Sequence, residues 1–352
     1  MGKIKFLKTS YLKRKVREGI VKLSLLDYKF LKSKKENKNV LIVTMDALGD
    51  NIVKSRTIEI LAEEYGKENI YILCKNKWKI LYEMQGYKNI FVDETKWNVF
   101  YKIKLYRKLN KIGFFKVAIF NHSSLPPEER YIYSGEKYDM SESVNYILEK
   151  HIILLNKILK RKFILEDVKP DIRKYFPDKK YKNIISIALG ASNDKRTLPI
   201  YKMEKIILQL LNKFPDKTIM LLGAGKKQNN YCNALMNDLK NNERIKETID
   251  KIPLLETIQI IKDSDLFIGY DSGLLNIAFT LKKKSICLHW SEKKYVWEHD
   301  CEFVKTLKGN GTEKDKNEKY GTPTLNSITF EQIENAIDEL EIFNLGENNI
   351  WS

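Results

Sequence analysis

The amino-acid sequence predicts an α/β protein with two Rossmann-like domains that face each other across a cleft. Short, uninterrupted apolar runs alternate with stretches of helical periodicity along most of the 352 residues, as in parallel sheets covered by helices. The alternation stops at residues 166–182, where two prolines and dense charge indicate a linker, and then starts again. A chain of this length suits two domains better than one core. We therefore expect a basic amphipathic extension at 1–38, a first domain at 39–165 and a second at 183–352.

The extension is predicted from its charge. Residues 1–38 hold 13 basic and 3 acidic residues, which accounts for most of the formal net charge of +17. Residues 10–33 mix lysines with apolar side chains at helical spacing, as in helices that lie on anionic membrane surfaces. A helix that packs on the protein body with its lysines in water fits the same pattern, and Gly19 weakens both versions. The sequence leaves this choice open.

Composition restricts the class of binding partner and the cellular compartment that we expect. The charge of +17 and a pI near 9.3 indicate an acidic partner, such as a phosphorylated substrate or an anionic membrane, unless the lysine richness is compositional drift. We expect no nucleic acid, because the basic residues belong to no recognised nucleic-acid-binding fold. Four scattered cysteines without a C-x-x-C pair argue against zinc and disulfides and favour a reducing cytoplasm. The opening is too charged for a signal peptide, and no apolar run approaches the roughly 20 residues of a membrane span.

The first domain begins with the stretch that carries most of the functional signal. The apolar run 40–43 reads as a buried strand, a turn containing Gly49 and Asp50 follows, and helical periodicity runs over 51–64. Such a corner of a parallel sheet faces the ligand crevice. It contains no G-x-G-x-x-G and no Walker A motif, which argues against an NAD-dependent enzyme. The corner therefore presents Asp50 rather than a pyrophosphate cradle.

The later elements continue the same alternation. In the first domain we predict strands at 69–74, 90–92 and 115–120, helices at 78–84, 98–112 and 141–159, and a polar loop at 125–140. In the second domain we predict strands at 183–189, 218–222, 266–269 and 285–288, and helices at 199–212, 230–239, 254–262, 273–281 and 329–340. Thr329 and Gln332 have the spacing of a capping box.

A second candidate corner lies at Asp271, Ser272 and Gly273, where a strand runs directly into a helix. Helix N-termini offer unpaired N–H groups and a partial positive charge, which suit a diphosphate. Asp271 or Ser272 is expected to cap this helix, and Gly273 lets a ligand approach the backbone. The same triplet is also a good cap without any ligand.

Two further corners supply weaker signals. The stretch 189–199 is rich in small residues, including Ser192, and carries the adjacent cations Lys195 and Arg196. These cations either neutralise a leaving phosphate or are simply solvent charges. Gly223 and Gly225 follow the next strand and leave room for a nucleotide base or ribose.

Taken in order, these corners resemble glycosyltransferase family 9, the heptosyltransferases of lipopolysaccharide core assembly, over about residues 39–340. The matching pieces are V-L-I-V-x5-G-D, G-A-S-N-D-K-R, L-L-G-A-G and D-L-F-I-G-Y-D-S-G-L-L-N-I-A. The resemblance implies a GT-B fold that holds the acceptor mainly in the first domain and the nucleotide sugar mainly in the second. It implies an inverting transfer, without metal or cofactor, from ADP-heptose to the Kdo or heptose inner core of lipopolysaccharide or lipooligosaccharide.

The resemblance also assigns roles to individual residues. Asp50 falls on the family's catalytic carboxylate, Lys195 on its phosphate-binding lysine, and Asp271, Ser272 and Gly273 on its diphosphate-binding turn. Physical chemistry agrees with these roles. A carboxylate can accept the proton of the attacking hydroxyl, and a lysine with a helix N-terminus can stabilise the departing ADP without a metal.

Other positions depart from the family pattern or match no motif. Asn276 stands where the family usually has histidine, and Gly225 stands where an acidic residue often contacts the donor ribose. Both changes concern the donor, so its sugar and nucleotide remain open. Gly49, His122 and Arg130 are acceptor candidates from their position alone.

The implied partners are a nucleotide sugar and a lipid-linked, anionic oligosaccharide acceptor. The protein is then expected in the cytoplasm, either free or peripheral on the inner leaflet of the inner membrane. A family 9 enzyme that uses a different nucleotide sugar is one alternative. An alternative of another class is a non-catalytic scaffold that holds lipid intermediates through residues 1–38.

Overall fold

The computed structural model describes residues 12, 15–26, 38–94, 98–113, 115–119, 132, 134–140, 142–239, 242–299, 301–311 and 319–341. The chain divides into two compact units. The first is Met1–Asp46, Arg56–Ser143 and Leu148–Val168, and the second is Ala47–Ser55, Val144–Ile147 and Lys169–Ser352. Each unit contains its own parallel sheet, so the prediction of two α/β domains is confirmed. The stretch Ala47–Ser55, which the sequence boundaries place in the first domain, groups with the second unit.

The described residues of the first unit form a five-stranded sheet in the order β3-β2-β1-β4-β5. Its strands are β1 (Val40–Thr44), β2 (Ile70–Cys74), β3 (Asn89–Val92), β4 (Phe115–Ile119) and β5 (Ser134–Tyr138). The chain also forms helices α1 (Leu48–Val53), α2 (Ser55–Tyr65), α3 (Lys79–Met84), α4 (Val99–Ile112), α5 (Ile147–Leu159) and α6 (Leu165–Val168). All five residues of β1 are buried, as expected for a central parallel strand covered on both faces.

The leading segment packs on the first unit through one face. Residues 15–24 are helical, and Val21 and Leu25 are buried in a core cluster with Leu41 and Leu105. The Arg107 guanidinium donates two hydrogen bonds to the Ser24 carbonyl, at 3.3 and 3.0 Å. These residues therefore pack on the body through the face that carries Val21 and Leu25.

The described residues of the second unit form a six-stranded sheet in the order β11-β10-β9-β6-β7-β8. Its strands are β6 (Ile184–Ala188), β7 (Thr218–Leu222), β8 (Ile245–Glu247), β9 (Leu266–Tyr270), β10 (Ser285–Leu288) and β11 (Val304–Leu307). Its helices are α7 (Ile200–Lys213), α8 (Lys226–Asp238), α9 (Leu254–Asp263), α10 (Gly273–Thr280), α11 (Pro323–Asn326) and α12 (Phe330–Glu339). This is the doubly wound Rossmann order, in which the direction of winding reverses between the first strand, β6, and the fourth, β9.

Three strands that the sequence reasoning did not predict, β5, β8 and β11, all lie at sheet edges. An edge strand pairs on one side only and tolerates polar side chains, so it lacks the apolar run that marks a central strand. β5 shows this most clearly, because its sequence SGEKY lies inside the predicted polar loop and is mostly exposed. The predicted helix 51–64 is divided into α1 and α2, and the helix predicted from 141 is observed from Ile147.

Three smaller observations complete the fold. The predicted capping box is confirmed, since Thr329 Oγ1 accepts from the Gln332 N–H and Gln332 Oε1 accepts from the Thr329 N–H. All four cysteines carry free thiols. No helix in the described part of the chain is long and apolar enough to cross a membrane.

Candidate functional site

The strand order of the second sheet locates the candidate site. In an open parallel sheet, ligands bind beyond the carboxyl ends of the strands, at the point where the strand order reverses. In this unit that point lies between β6 and β9. The corner after β6 contains Lys195 and Arg196, and the corner after β9 contains Asp271 and Ser272. The fold therefore brings together two corners that the sequence singled out separately.

An ion pair between a half-buried arginine and a buried aspartate joins these two corners. Arg196 Nη1 lies 3.1 Å from Asp271 Oδ2, and the side chain of Asp271 is only 7% exposed. The Trp290 indole N–H donates to the same carboxylate oxygen at 3.3 Å. The Arg196 guanidinium also lies over the rings of Trp290 and Tyr295, 4.9 and 5.7 Å from their centroids. Arg196 is thus held by one carboxylate and two aromatic faces.

Local hydrogen bonds explain why Arg196 reaches Asp271. Residues Asp194–Arg196 form a 3-10 turn whose N-cap, Asn193, accepts from the Lys195 N–H at 3.0 Å. Just after this turn, the Leu198 N–H donates to the Tyr270 hydroxyl, at the end of β9. The corner after β6 is therefore tied to the neighbouring strand. Lys195, the cation that the sequence reasoning favoured, points to the exposed side of the same turn.

The ion pair changes what each partner is able to do. A lone buried carboxylate repels an anion, whereas a carboxylate paired with arginine presents little net charge. A guanidinium has five N–H donors, so the pairing leaves it geometrically able to bind a phosphate as well. Asp271 therefore orients Arg196 and leaves it with further N–H donors. In the adjacent Lys-Arg pair that the sequence singled out, Arg196 is half-buried and Lys195 is exposed.

The first turn of α10 offers further polar groups at the same place. Of the two predicted capping residues, Ser272 occupies the N-cap position, but its side chain makes no capping hydrogen bond. Its Oγ is buried and has no hydrogen-bond partner among the residues that the structure describes. A buried unpartnered hydroxyl beside the free N–H groups of a helix start is typical of a site completed by an anionic ligand.

Asn276 sits one turn into α10, and each of its two amide atoms is bonded within the protein. Its amide nitrogen donates to the Ser272 carbonyl at 3.0 Å, and its amide oxygen lies 2.8 Å from His299 Nε2. His299 also contacts the Tyr146 hydroxyl through Nδ1 at 2.9 Å and stacks on Phe279. Burial lowers the pKa of His299 to about 3, so this ring is neutral at physiological pH. In the neutral tautomer with a proton on Nε2, this N–H donates to the Asn276 amide oxygen and Nδ1 accepts from the Tyr146 hydroxyl.

Helix α1, which contains Gly49 and Asp50, packs directly on α10. A Cβ added to Gly49 would lie 2.5 Å from Asn276 Nδ2, and one added to Gly273 would lie 3.0 Å from Leu48 Cβ. Each glycine thus makes room for the opposite helix, which gives Gly273 a packing reason beside its predicted role toward a ligand. Asp50 is half-buried and its Oδ2 accepts from the Ala47 N–H at 3.2 Å. This bond orients the carboxylate on the helix that touches the α10 corner.

A pocket of about 170 Å³ adjoins the corner after β6. Its wall includes Gly190, Lys227, Lys319 and Tyr320. Ser192, one of the predicted donor-nucleotide residues, is exposed at the same corner. The lining combines two lysines, Asp194 and two tyrosines, a mixture of charged and aromatic groups that suits a nucleotide.

The glycine corner after β7 borders this pocket. Gly223 packs against Gln228, which lines the pocket. Gly225 has a φ of 92°, which favours glycine, and its N–H donates to Asp250 Oδ1 at 2.8 Å. An acidic side chain thus stands beside the position at which the sequence lacks one.

Two predicted acceptor candidates and one further histidine remain. His122 and Arg130 lie outside the described residues. His289, at the end of β10, is 1% exposed and bonded through Nδ1 to the Ser291 carbonyl, and burial lowers its pKa, so it packs in the core. Among the described residues, no group of three or more His, Cys, Asp or Glu side chains could hold a metal ion.

The amino-acid sequence is similar to known glycosyltransferases. Residues 160–309 match the family model described as Glycosyltransferase family 9 (heptosyltransferase). The chain is 24% identical over 255 residues to Lipooligosaccharide heptosyltransferase 2 of Campylobacter jejuni, which covers 68% of this chain and 78% of the relative. It is 28% identical over 117 residues to Lipopolysaccharide heptosyltransferase 1 of Campylobacter coli, which covers 33% of this chain and 34% of that relative. The family match includes the Arg196–Asp271 cluster but not Asp50.

Solved structures share the fold. A glycosyl transferase family 9 protein from Veillonella parvula superposes with a TM-score of 0.67 at 13% identity, covering 87% of this chain and 98% of its own. E. coli heptosyltransferase WaaC with ADP-2-deoxy-2-fluoro heptose gives a TM-score of 0.65 at 10% identity, covering 86% of this chain and 99% of its own. The TM-scores show that the chain has the GT-B type of fold, and at identities this low they show the fold alone.

Proposed function

We propose, from the premise that this chain belongs to glycosyltransferase family 9 and is a glycosyl-transfer enzyme, that it transfers heptose from ADP-heptose to an inner-core lipooligosaccharide. The transfer is proposed to invert the anomeric centre and to need no metal or cofactor. The names of the Campylobacter relatives support the sugar and the acceptor, and the ligand in the WaaC structure supports the donor. The proposed place of action is the cytoplasmic side of the inner membrane.

The observation that carries the proposal is the anion site at the strand-order reversal of the second unit. Arg196, held by the buried Asp271, lies at the corner where α10 begins with the unpartnered Ser272 hydroxyl. Together, a fixed guanidinium, a hydroxyl and helix N–H groups match the needs of a diphosphate. Lys195 on the same turn supplies a second cation toward the charge that develops on the leaving group.

The adjoining pocket is proposed to take the nucleotide. Tyr320 offers an aromatic ring to the base, with Lys319 Nζ 4.9 Å from the ring centroid. Lys227, which pairs with Asp194 at 3.3 Å, is the second cation of the pocket. Asp250, bonded to the Gly225 N–H, offers a carboxylate to the ribose hydroxyls. This arrangement compensates for the missing acidic residue at position 225.

Asp50 is proposed as the general base of the reaction. The acceptor hydroxyl oxygen attacks the anomeric carbon, and its proton moves to the Asp50 carboxylate. The bond between the anomeric carbon and the phosphate oxygen breaks, and ADP leaves with the electron pair. Because attack and departure occur on opposite faces of the sugar, the configuration inverts. Arg196, Lys195 and the start of α10 stabilise the negative charge that develops on ADP.

One observation favours a second candidate, a transfer from a different nucleotide sugar. At the Asn276 position, where the family usually has histidine, both amide atoms are already bonded within the protein. The donor contact that a histidine makes there is therefore absent or made elsewhere. Thermal shift with a set of nucleotides separates the candidates, because a ligand that binds only the folded state raises its melting temperature.

The direct test follows ADP release from ADP-heptose in the presence of a Kdo-bearing acceptor. We expect turnover by the native protein and a loss of about a hundredfold or more in Asp50→Asn, which keeps the size of the side chain but not its basicity. Lys195→Ala is expected to weaken ADP binding, with Lys205→Ala, an exposed lysine on α7, as the matched control. Native turnover by Asp50→Asn would exclude the proposed base. If another nucleotide raised the melting temperature of the protein and ADP did not, the ADP-heptose assignment would fail.

A further inference from the structure

The leading helix has a second apolar face that the protein does not cover. Val21 and Leu25 are buried in the first unit, whereas a stripe of large apolar side chains stays in water. The exposed stripe consists of Leu12 (64% exposed), Val16 (56%), Ile20 (46%), Leu23 (69%) and Leu26 (38%). We call these five residues the outer stripe.

Helix geometry separates the outer stripe from the packed face. At about 100° per residue, the spacing of Val16, Ile20 and Leu23 places them on one side of the helix. Val21 lies about 130° and Leu25 about 170° away from their mean direction. A helix that only packs on a core needs one apolar stripe, with polar residues on the opposite side. A second stripe, continuous and exposed, indicates an interaction surface.

We propose that the outer stripe inserts into the headgroup region of an anionic lipid bilayer and holds the first unit at the membrane surface. The flanks of the stripe are basic, with Lys15 and Lys22 exposed and Arg17 half-buried. An apolar stripe between basic flanks is the pattern of helices that lie in a membrane interface. The orientation is fixed, because Val21, Leu25 and the Arg107–Ser24 hydrogen bonds tie the opposite face to the protein.

Charge decides between lipid and a second copy of the chain as the occupant. Residues 1–38 hold 13 basic and 3 acidic residues, so pairing two copies through this segment brings like charges together. An anionic leaflet instead carries the complementary charge and attracts each basic residue near its surface. The proposal does not depend on the proposed donor or acceptor, since it rests on the helix alone.

Vesicle co-sedimentation of the full-length protein tests the proposal. We expect binding to phosphatidylcholine vesicles that contain phosphatidylglycerol, little binding to phosphatidylcholine alone, and weaker binding at high salt. The double variant Ile20→Ser/Leu23→Ser is expected to lower the apparent affinity by at least about tenfold, because the buried apolar area sets the binding strength. Lys22→Glu should weaken binding to the anionic vesicles only.

The matched control removes exposed apolar side chains elsewhere. Ile164→Ser/Leu208→Ser, at positions that are 56% and 41% exposed, should bind vesicles like the native protein. Sugar transfer to a water-soluble acceptor fragment should be unchanged in the stripe variant, which separates this proposal from the proposed function. If the double variant fails to fold, Leu23→Ser alone gives the same comparison.

Two outcomes overturn the proposal. The first is equal vesicle binding by the native protein and the folded stripe variants, or no binding by the native protein. The second is a dimer, seen by light scattering, that the stripe variants convert to a monomer without any effect of vesicles. That result would assign the stripe to a second copy of the chain.

Discussion

Gly49→Ala tests whether the α1–α10 packing organises the candidate site. Gly49 lies in α1 opposite Asn276 of α10, and a Cβ at this position would be 2.5 Å from Asn276 Nδ2 and 3.1 Å from its Cγ. Ordinary van der Waals contact begins at about 3.4 Å, so the amide must retreat by roughly 1 Å. The amide is held by hydrogen bonds to the Ser272 carbonyl and His299, which oppose such a shift.

Two effects of opposite sign set the expected magnitude. Replacing a helical glycine by alanine stabilises the folded state by about 0.5–1 kcal/mol. Overpacking a tight contact costs about 1–3 kcal/mol. We therefore expect Gly49→Ala to lower the free energy of unfolding by about 1 kcal/mol. In an Asn276→Ala background the nearest remaining atom of residue 276 is the Cβ, at 3.4 Å, so the clash disappears. There Gly49→Ala should stabilise the protein by about 0.5 kcal/mol.

Urea denaturation of the native protein, both single variants and the double variant at neutral pH measures this coupling as a double-mutant cycle. The signature is a change of sign of the Gly49→Ala effect between the two backgrounds, with a coupling energy of about 1–2 kcal/mol. If Gly49→Ala costs the same in both backgrounds, the contact with Asn276 does not limit the approach of α1 to α10. A stabilising Gly49→Ala in the native background refutes the packing argument entirely.

Three further predictions concern the site itself. Arg196→Ala should weaken ADP binding by about tenfold or more in calorimetry, and Arg196→Lys should restore only part of it, because an ammonium lacks the planar fork; unchanged affinity in Arg196→Ala removes it from the diphosphate site. Ser272→Ala should leave the melting temperature almost unchanged and weaken ADP binding, because its hydroxyl has no partner among the described residues; a large loss of stability without a change in binding contradicts this role. The pKa of His299 is about 3 in the folded state and about 6.5 when unfolded. Its contribution to the free energy of unfolding is therefore complete above about pH 6.5 and is lost as the pH falls toward 3, because the unfolded state binds the proton first. Between pH 7 and pH 5 the free energy of unfolding should fall by about 2 kcal/mol more in the native protein than in His299→Gln. An equal fall in both proteins excludes His299 as the source.

The sequence pattern was sufficient to predict the parts of this fold whose conformation depends on neighbouring residues in the chain. The central strand β1 is apolar at every position but the last. The corner Asp271-Ser272-Gly273 joins a strand to a helix where it was predicted. The Thr329–Gln332 capping box is equally local. Such features depend on side chains a few positions apart, so periodicity and turn chemistry report them directly. The polar edge strand β5 escaped detection because its pairing partner, not its own sequence, makes it a strand.

The sequence by itself therefore determined the α/β class and the strand-to-helix corners at which candidate polar side chains lie. Only the tertiary structure decided which groups meet at those corners. Arg196 reaches Asp271 across 75 positions because β6 and β9 are neighbours, while the adjacent Lys195 stays exposed. The tertiary structure also placed Gly49 against Asn276 and bound the Asn276 amide to a neutral His299. These contacts join residues that are distant along the chain, and burial together with the order of the strands determines them.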